Sequence, residues 1–347
     1  MSCIFDDSFL YSSRFLSLSL HLLTSLEIPI HLFGVYLIYT KTPKTMNSAK
    51  NSIMQLHIAC SLMDFYISFF LIFYIWIPSP AGFPVGFLTY LGLNSAVQLY
   101  VFCMILAGVA ISIIAFFENR YDSLVIGQVG RSSTRNIKRI VYFFLNAASS
   151  SIYIAYVFWN LPDPEKARRD VPKSKPCIPL SLVNNPMYVN MNTDNLHMPY
   201  MSAALMLILT LQGAYFILYT TYYIFFSVRN VSKTTQQIQK KFFIAMTLQA
   251  LIPLVAFVGP LFYFILAWRL NYYNQMYNNF AMIVIGFNGL LTTIVMILVH
   301  APYRKSVIRM VGKGGELAHS AIIRVIELIR TLNPKTLRTA SAKWSLL

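Results

Sequence analysis

Seven apolar runs, at 15–40, 52–77, 88–117, 137–159, 199–227, 242–268 and 280–300, constrain this chain more than any other feature. Each holds the roughly 20 residues that carry a helix across a hydrocarbon core. In lipid no water is available to the amides, so such runs read as self-satisfied helices rather than as an open sheet. Composition agrees: 56% of the residues are hydrophobic and only 12% charged, about half the charged fraction of a soluble domain. The expected fold is an all-α membrane protein, a bundle of seven transmembrane helices over 15–300. A short extracellular N-terminus (1–14) precedes it, and a cytoplasmic tail with an amphipathic helix (301–347) follows.

Orientation comes from where Lys and Arg fall. The segments 41–51, 118–139 and 228–241 and the tail from 301 hold 21 of the 28, so these lie inside and the amino end outside. The net charge of +16 is spread between apolar runs, not gathered on a soluble patch, which argues against nucleic acid as a partner. Asp6 and Asp7 before Arg14 lack the basic start of a cleavable signal, so the first run is expected to stay as an anchor. Four cysteines without Cys-x-x-Cys spacing suggest no metal and no cofactor. Cys60 and Cys103 lie inside apolar runs, while Cys3 and Cys177 share the outer side, where their pairing is left open.

Polar residues inside or beside the runs are the candidate sites. Phe117-Glu118-Asn119-Arg120-Tyr121 closes the third run where lipid gives way to water. One reading makes Glu118, Asn119, Arg120 and Tyr121 the switch of a receptor, with Arg120 restrained at rest and freed to meet a G protein. The other makes them an interfacial anchor, with Arg120 snorkelling to headgroups. Glu27 and His31, four apart on one helix face, are either a polar track or an internal hydrogen-bonded pair. Asp64, near the middle of helix two, must face the bundle interior and suits a conformational or ion-sensing role; His57 reads as core. Asn94, Gln98 and Phe102 form an i,i+4 stripe that either lines a small-molecule pocket or packs helices. Pro253 and Pro260 break helix-six backbone bonds at two levels and suit a hinge. The loop 160–198 is a candidate lid. In the tail, Ile322, Ile326 and Ile329 oppose Arg324, Glu327 and Arg330, a basic amphipathic pattern suited to an anionic leaflet.

Several blocks together resemble the nematode serpentine receptors of class H. They are Pro29-Ile30-His31-Leu32-Phe33-Gly34-Val35-Tyr36 with Thr42-Pro43-Lys44 and Met46; Phe117 to Tyr121; Leu248-Gln249 with Ile252-Pro253 and Pro260; Tyr273-Asn274-Gln275 through Asn278-Asn279; and Val299-His300-Ala301-Pro302-Tyr303-Arg304. The resemblance implies a GPCR-like chemoreceptor of sensory neurons that detects a small environmental molecule and signals through a heterotrimeric G protein. It also implies a plasma-membrane location, in the sensory cilium. By analogy with rhodopsin-like receptors, Glu118 and Arg120 stand for the acid and arginine ending helix three, but Asn119 separates them, so a side-by-side latch is not given. Ser95 stands where spacing from Arg120 would put a disulfide cysteine, the Asn-Pro pair of helix seven is missing, and Asn288 replaces a histidine before Gly289. The rival class is a transporter or channel using Glu27, His31 and Asp64 as a proton or cation path. It lacks the internal repeat and paired broken helices such folds show. No nucleophile elbow or two-histidine motif supports an enzyme.

Overall fold

The computed structural model describes residues 8–43, 46–126, 133–163, 165, 169, 183–191, 197–227 and 232–312. Helix α1 (Ser13–Lys41) begins where Ser12 Oγ accepts the Phe15 amide at 3.1 Å and runs on through Pro29. Helix α2 (Asn47–Phe65) continues as a π-helical turn, Tyr66–Leu71. Ile72, at φ 37°, then ends it. The chain enters β1 (Phe73–Trp76), which pairs antiparallel with β2 (Ala81–Pro84), and β3 (Val189–Asn190) completes the sheet on the free edge of β2.

This corrects the expectation of a helix over 52–77. Phe73 and Trp76 are apolar because protein covers them, each being 4% exposed, and not because they meet lipid. The run 88–117 is likewise interrupted. Phe87–Tyr90 forms one separate turn, Gly92 takes φ 74° at no Cβ penalty, and Asn94 caps α3 (Ser95–Tyr121) by accepting the Ala96 amide at 2.8 Å.

Helix α4 spans Ser133–Trp159 and α5 spans His197–Tyr222, ending in a π-helical turn, Tyr223–Ser227. Helix α6, Lys233–Arg269, passes through Pro253 and Pro260 without a break. The last transmembrane element is broken. Helix α7 (Gln275–Gly286) and α8 (Asn288–Val299) meet at a 40° bend. Among the described residues five helices are long and apolar enough to cross a membrane, and the bent pair makes six. The seventh element is α6, whose strongly apolar stretch, Phe257–Arg269, is shorter. A helix over 301–312 lies in a separate compact unit. The amphipathic segment expected after it lies outside the described residues, as do Cys3 and Cys177.

Leu18, Leu22, Leu26 and Leu32 on α1 and Leu207, Leu211 and Leu218 on α5 are more than half exposed, which suits hydrocarbon as the solvent. Inside, Leu16, Leu20, Leu71, Trp76, Leu99, Tyr188 and Ile285 belong to one buried cluster beneath the sheet. Polar side chains of α7 tie this end together. Gln275 donates to the Ile75 carbonyl at 3.1 Å, Asn278 to the Ile77 carbonyl at 3.3 Å and Asn279 to the Leu10 carbonyl at 2.8 Å. Tyr273 stacks on Trp76 with ring centres 4.2 Å apart.

Among the described residues a hydrogen bond joins α3 to the loop carrying β3. Ser95 Oγ donates to the Met187 carbonyl at 2.8 Å, where sequence spacing invited a disulfide. One such bond contributes about 1 kcal/mol, with sheet pairing carrying the rest of the connection. Ser95→Ala should therefore lower the thermal midpoint of the detergent-solubilised protein by only a few degrees, read by intrinsic fluorescence. Unfolding at room temperature would contradict this view of the loop.

Candidate functional site

At the far end of α3, four consecutive residues point to four different helices. Successive side chains turn by about 100°, so 118–121 sweep most of a circle around a central helix. Glu118 turns to α4, where its carboxylate meets Arg135 Nη2 at 2.7 Å and Arg139 Nη2 at 2.8 Å. Asn119 donates to Ser52 Oγ of α2 at 3.1 Å. The Arg120 guanidinium lies over the Phe242 ring of α6, 4.7 Å from its centre. Tyr121 packs edge-on against Tyr219 of α5, at 5.4 Å, and lies beside Tyr215 and Phe216.

The acid and the arginine of this motif do not pair with each other among the described contacts. Glu118 is instead one of the two acids of a four-membered clamp. Asp122, one turn further on, meets Arg135 Nε at 2.9 Å and Arg139 Nη1 at 3.4 Å. Both carboxylates are buried, at 2% and 0% side-chain exposure, and both arginines span the two acids. Desolvation makes such a cluster costly to build and costlier still to break, about 3–5 kcal/mol when one partner is lost. Arg120 is held differently. It is 9% exposed, and its Nε is buried without a hydrogen-bond partner among the described residues. A cation on an aromatic face gains only about 0.5–2 kcal/mol. Of the two charges in the motif, Glu118 is fixed and Arg120 is the one a modest force can move.

The intramembrane residues meet at the break in the last span. Asp64 Oδ1 accepts the Gly289 amide at 3.0 Å, and the Leu290 amide reaches the same carboxyl. A helix start leaves several amides without intrahelical partners, and α8 has no cap from its own Phe287. Asp64, on another helix, supplies it. A Cβ on Gly289 would land on the Asp64 carboxyl group, so only glycine admits this approach.

His31 stands beside the pair, Nε2 3.2 Å from Asp64 Oδ2 and Nδ1 2.9 Å from Thr293 Oγ1. Thr293 gives its hydroxyl hydrogen to the Gly289 carbonyl at 3.0 Å, so Nδ1 must be the donor to Thr293. Nε2 therefore faces Asp64 Oδ2 without a hydrogen bond between them among the described residues. Glu27 is close enough to feel the charge of both but makes its hydrogen bond elsewhere. Its Oε2 accepts from Ser68 at 2.9 Å, Ser68 accepts from Thr24 at 2.8 Å, and Oε1 has no hydrogen-bond partner among the described residues. His57 donates Nε2–H to the His31 carbonyl at 3.1 Å and fills the space against Gly34, as a core histidine does.

The stripe Asn94, Gln98 and Phe102 does not converge on one cavity. Asn94 caps α3, and Gln98 is buried and donates to the Leu93 carbonyl at 2.8 Å. Phe102 packs against the buried cluster. Asn94 alone borders a cavity of about 230 Å³, together with Phe158, Asp163, Tyr188 and Asn190. Burial pushes the Tyr188 phenol up to about 12, and its buried hydroxyl lacks a hydrogen-bond partner among the described residues.

Sequence reasoning did not name Arg135, Arg139 or Asp122 as partners of Glu118. The signal was present: two acids four apart, Glu118 near the end of α3 and Asp122 just past it, and two arginines four apart in the first two turns of α4. It also missed Gln249 on α6, whose Oε1 lies 2.8 Å from His300 Nε2.

A family model described as "Serpentine type 7TM GPCR chemoreceptor Srh" matches residues 11–313. The chain is also similar to "Serpentine receptor class H-72" of Caenorhabditis elegans, 29% identical over 327 residues, which is 93% of this chain and 92% of that relative.

Proposed function

Because the chain belongs to the Srh family of serpentine seven-transmembrane GPCR chemoreceptors, we propose that it detects a small environmental molecule and signals through a heterotrimeric G protein. In this reading the sheet end faces outward and the Arg120 end faces the cytoplasm of the cell whose plasma membrane, at the sensory cilium, holds it. The Lys and Arg distribution supports that orientation. The observation that carries the proposal is the divergence of Glu118, Asn119, Arg120 and Tyr121 onto four helices. A shift of any one of those helices is felt at a single point.

The movable helix is α6. Pro253 and Pro260 each remove a backbone donor, and Phe242 lies 11 residues from Pro253, roughly 16 Å down the helix. A swing about that hinge carries the ring off Arg120 and exposes the guanidinium. Ligand binds on the other side, beneath the sheet, where Asn94 and Tyr188 border a cavity and Gln98 and Phe102 brace the wall. Glu27, His31 and Asp64 act as an intramembrane polar switch at the α7–α8 break, since Asp64 caps α8 and His31 lies against the other oxygen of its carboxyl group. Moving a two-state receptor from 1:99 to 99:1 takes about 5.5 kcal/mol of differential binding, within reach of an apolar seat with a few hydrogen bonds.

Surface-expressed variants in cells with a calcium or cyclic-nucleotide readout, screened against a panel of small volatile and soluble compounds, test this. Phe242→Ala should raise ligand-independent signalling severalfold, and Arg120→Ala should abolish signalling at undiminished surface level. An Arg120→Ala receptor that responds like the parent sinks the role given to Arg120.

A further inference from the structure

We propose that a cleft between α3, α4 and α5 binds the headgroup of an anionic glycerophospholipid. The cleft encloses about 310 Å³; Lys138, Tyr142, Tyr215 and Phe216 line it with Tyr121, and the Glu118, Arg135 and Arg139 members of the clamp form its inner wall. Its rim is cationic. Arg135 and Arg139 are engaged with Glu118 and Asp122, while Lys138, on the same side of the cleft, makes no ion pair among the described residues. Three cations against two carboxylates leave one positive charge over, carried by an exposed amine.

The walls are aromatic, and they open sideways. On α4, Lys138 shares a face with Val141 and Leu145, which are 48% and 59% exposed. On α5, Tyr215 is 52% exposed and lies on one face with Leu211 and Leu218 at 59% and 68%. Exposed apolar residues flanking the mouth on both helices place it toward the hydrocarbon, not toward the bundle interior. Lys138 sits five residues after the first residue of α4, roughly 7 Å along the helix, where a lysine reaches phosphate depth by extending its stem.

A soluble anion would use the amine but not the walls. A phospholipid uses both: its phosphate meets Lys138, and the first methylenes of an acyl chain lie on Tyr215 and Phe216. Tyr142, which donates to Gln212 of α5, keeps α4 and α5 joined on the far side, so the cleft is a fixed feature of the helix pair. Bound there, the lipid would brace α4 and α5 directly beside the Glu118 clamp.

The proposed topology enters only in assigning this lipid to the inner leaflet. The binding itself can be measured in micelles, where sidedness does not matter, so this inference can fail while the receptor reading stands, and the reverse. The full chain is purified in maltoside micelles and titrated with dioleoylphosphatidylserine or dioleoylphosphatidylcholine, with bound lipid counted by native mass spectrometry. Phosphatidylserine should be retained in preference to phosphatidylcholine. Lys138→Glu should weaken its retention roughly tenfold and leave phosphatidylcholine unchanged, since each basic residue near an anionic surface contributes a severalfold factor. Lys138→Arg should bind like the parent. An equal loss in a Lys305→Glu control, or no loss in Lys138→Glu, overturns the site. Inorganic phosphate that protects Lys138 from amine labelling as well as phosphatidylserine does would mean a free-anion site and overturn the lipid assignment.

Discussion

Replacing Arg135 and Arg139 together by alanine is expected to cost the protein most of its stability. The two guanidiniums bridge Glu118 and Asp122, carboxylates with 2% and 0% side-chain exposure. Removing one partner of a buried ion pair costs about 3–5 kcal/mol, and here two neighbouring carboxylates lose both arginines that bridge them. That is comparable to the whole folding stability of many domains. The double variant should therefore reach the cell surface poorly and melt well below the parent in detergent. The control separates charge from packing. Adding Glu118→Gln and Asp122→Asn to the same chain removes the stranded charges and should restore much of the melting temperature. Should the four-fold variant melt as low as the double one, packing by the arginine stems, not charge, holds α3 to α4. Restored stability with lost signalling would separate the structural role of the clamp from its place in the switch.

Gly289→Ala should have the second largest effect. The added methyl would occupy the space of the Asp64 carboxyl group, which must move and surrender the amides at the start of α8. Loss of a cap costs about 1 kcal/mol, and overpacking in a tight interior about 1–3 kcal/mol more. The damage should be coupled to Asp64 and not merely local. In a chain already carrying Asp64→Ala the same change should cost much less, because the group it collides with is gone. A double-mutant cycle on detergent melting temperatures reads this directly, and an additive result would show that Asp64 is not the partner. Gly286 makes a useful comparison. Its added Cβ meets the end of the flexible Leu20 side chain at 2.7 Å, which can rotate away, so Gly286→Ala should be milder.

These two predictions mark where sequence reasoning reached and where it stopped. Asp64 was legible as a carboxylate that must face inward, since a lone acid in hydrocarbon is too costly to leave on the lipid side. Its partner was not. Gly289 lies 225 residues away, and nothing local to either position says that one caps the other. Glu118 and Arg120 were legible as a motif because of where they end the third run. Their fates diverged because a helix turns by 100° per residue and Asn119 stands between them, which sends one to α4 and the other to α6. The pattern also misled at the sheet. Apolar residues at 73–77 continue the second run without a mark, and burial under protein produces the same composition as burial in lipid. Asn94 read as one rung of a stripe, yet it is the residue at which α3 begins.

By itself the sequence determined what the solvent demands: how many segments cross, which ends carry the positive charge, and which polar side chains must turn inward. Those follow from hydration and hydrogen bonding, which act on each residue where it stands. The tertiary structure decided the pairings: Glu118 with Arg135 and Arg139, Arg120 with Phe242, Asp64 with Gly289, Ser95 with Met187. A pairing depends on which faces of separate helices meet and at what height, and that is settled by packing the whole bundle at once.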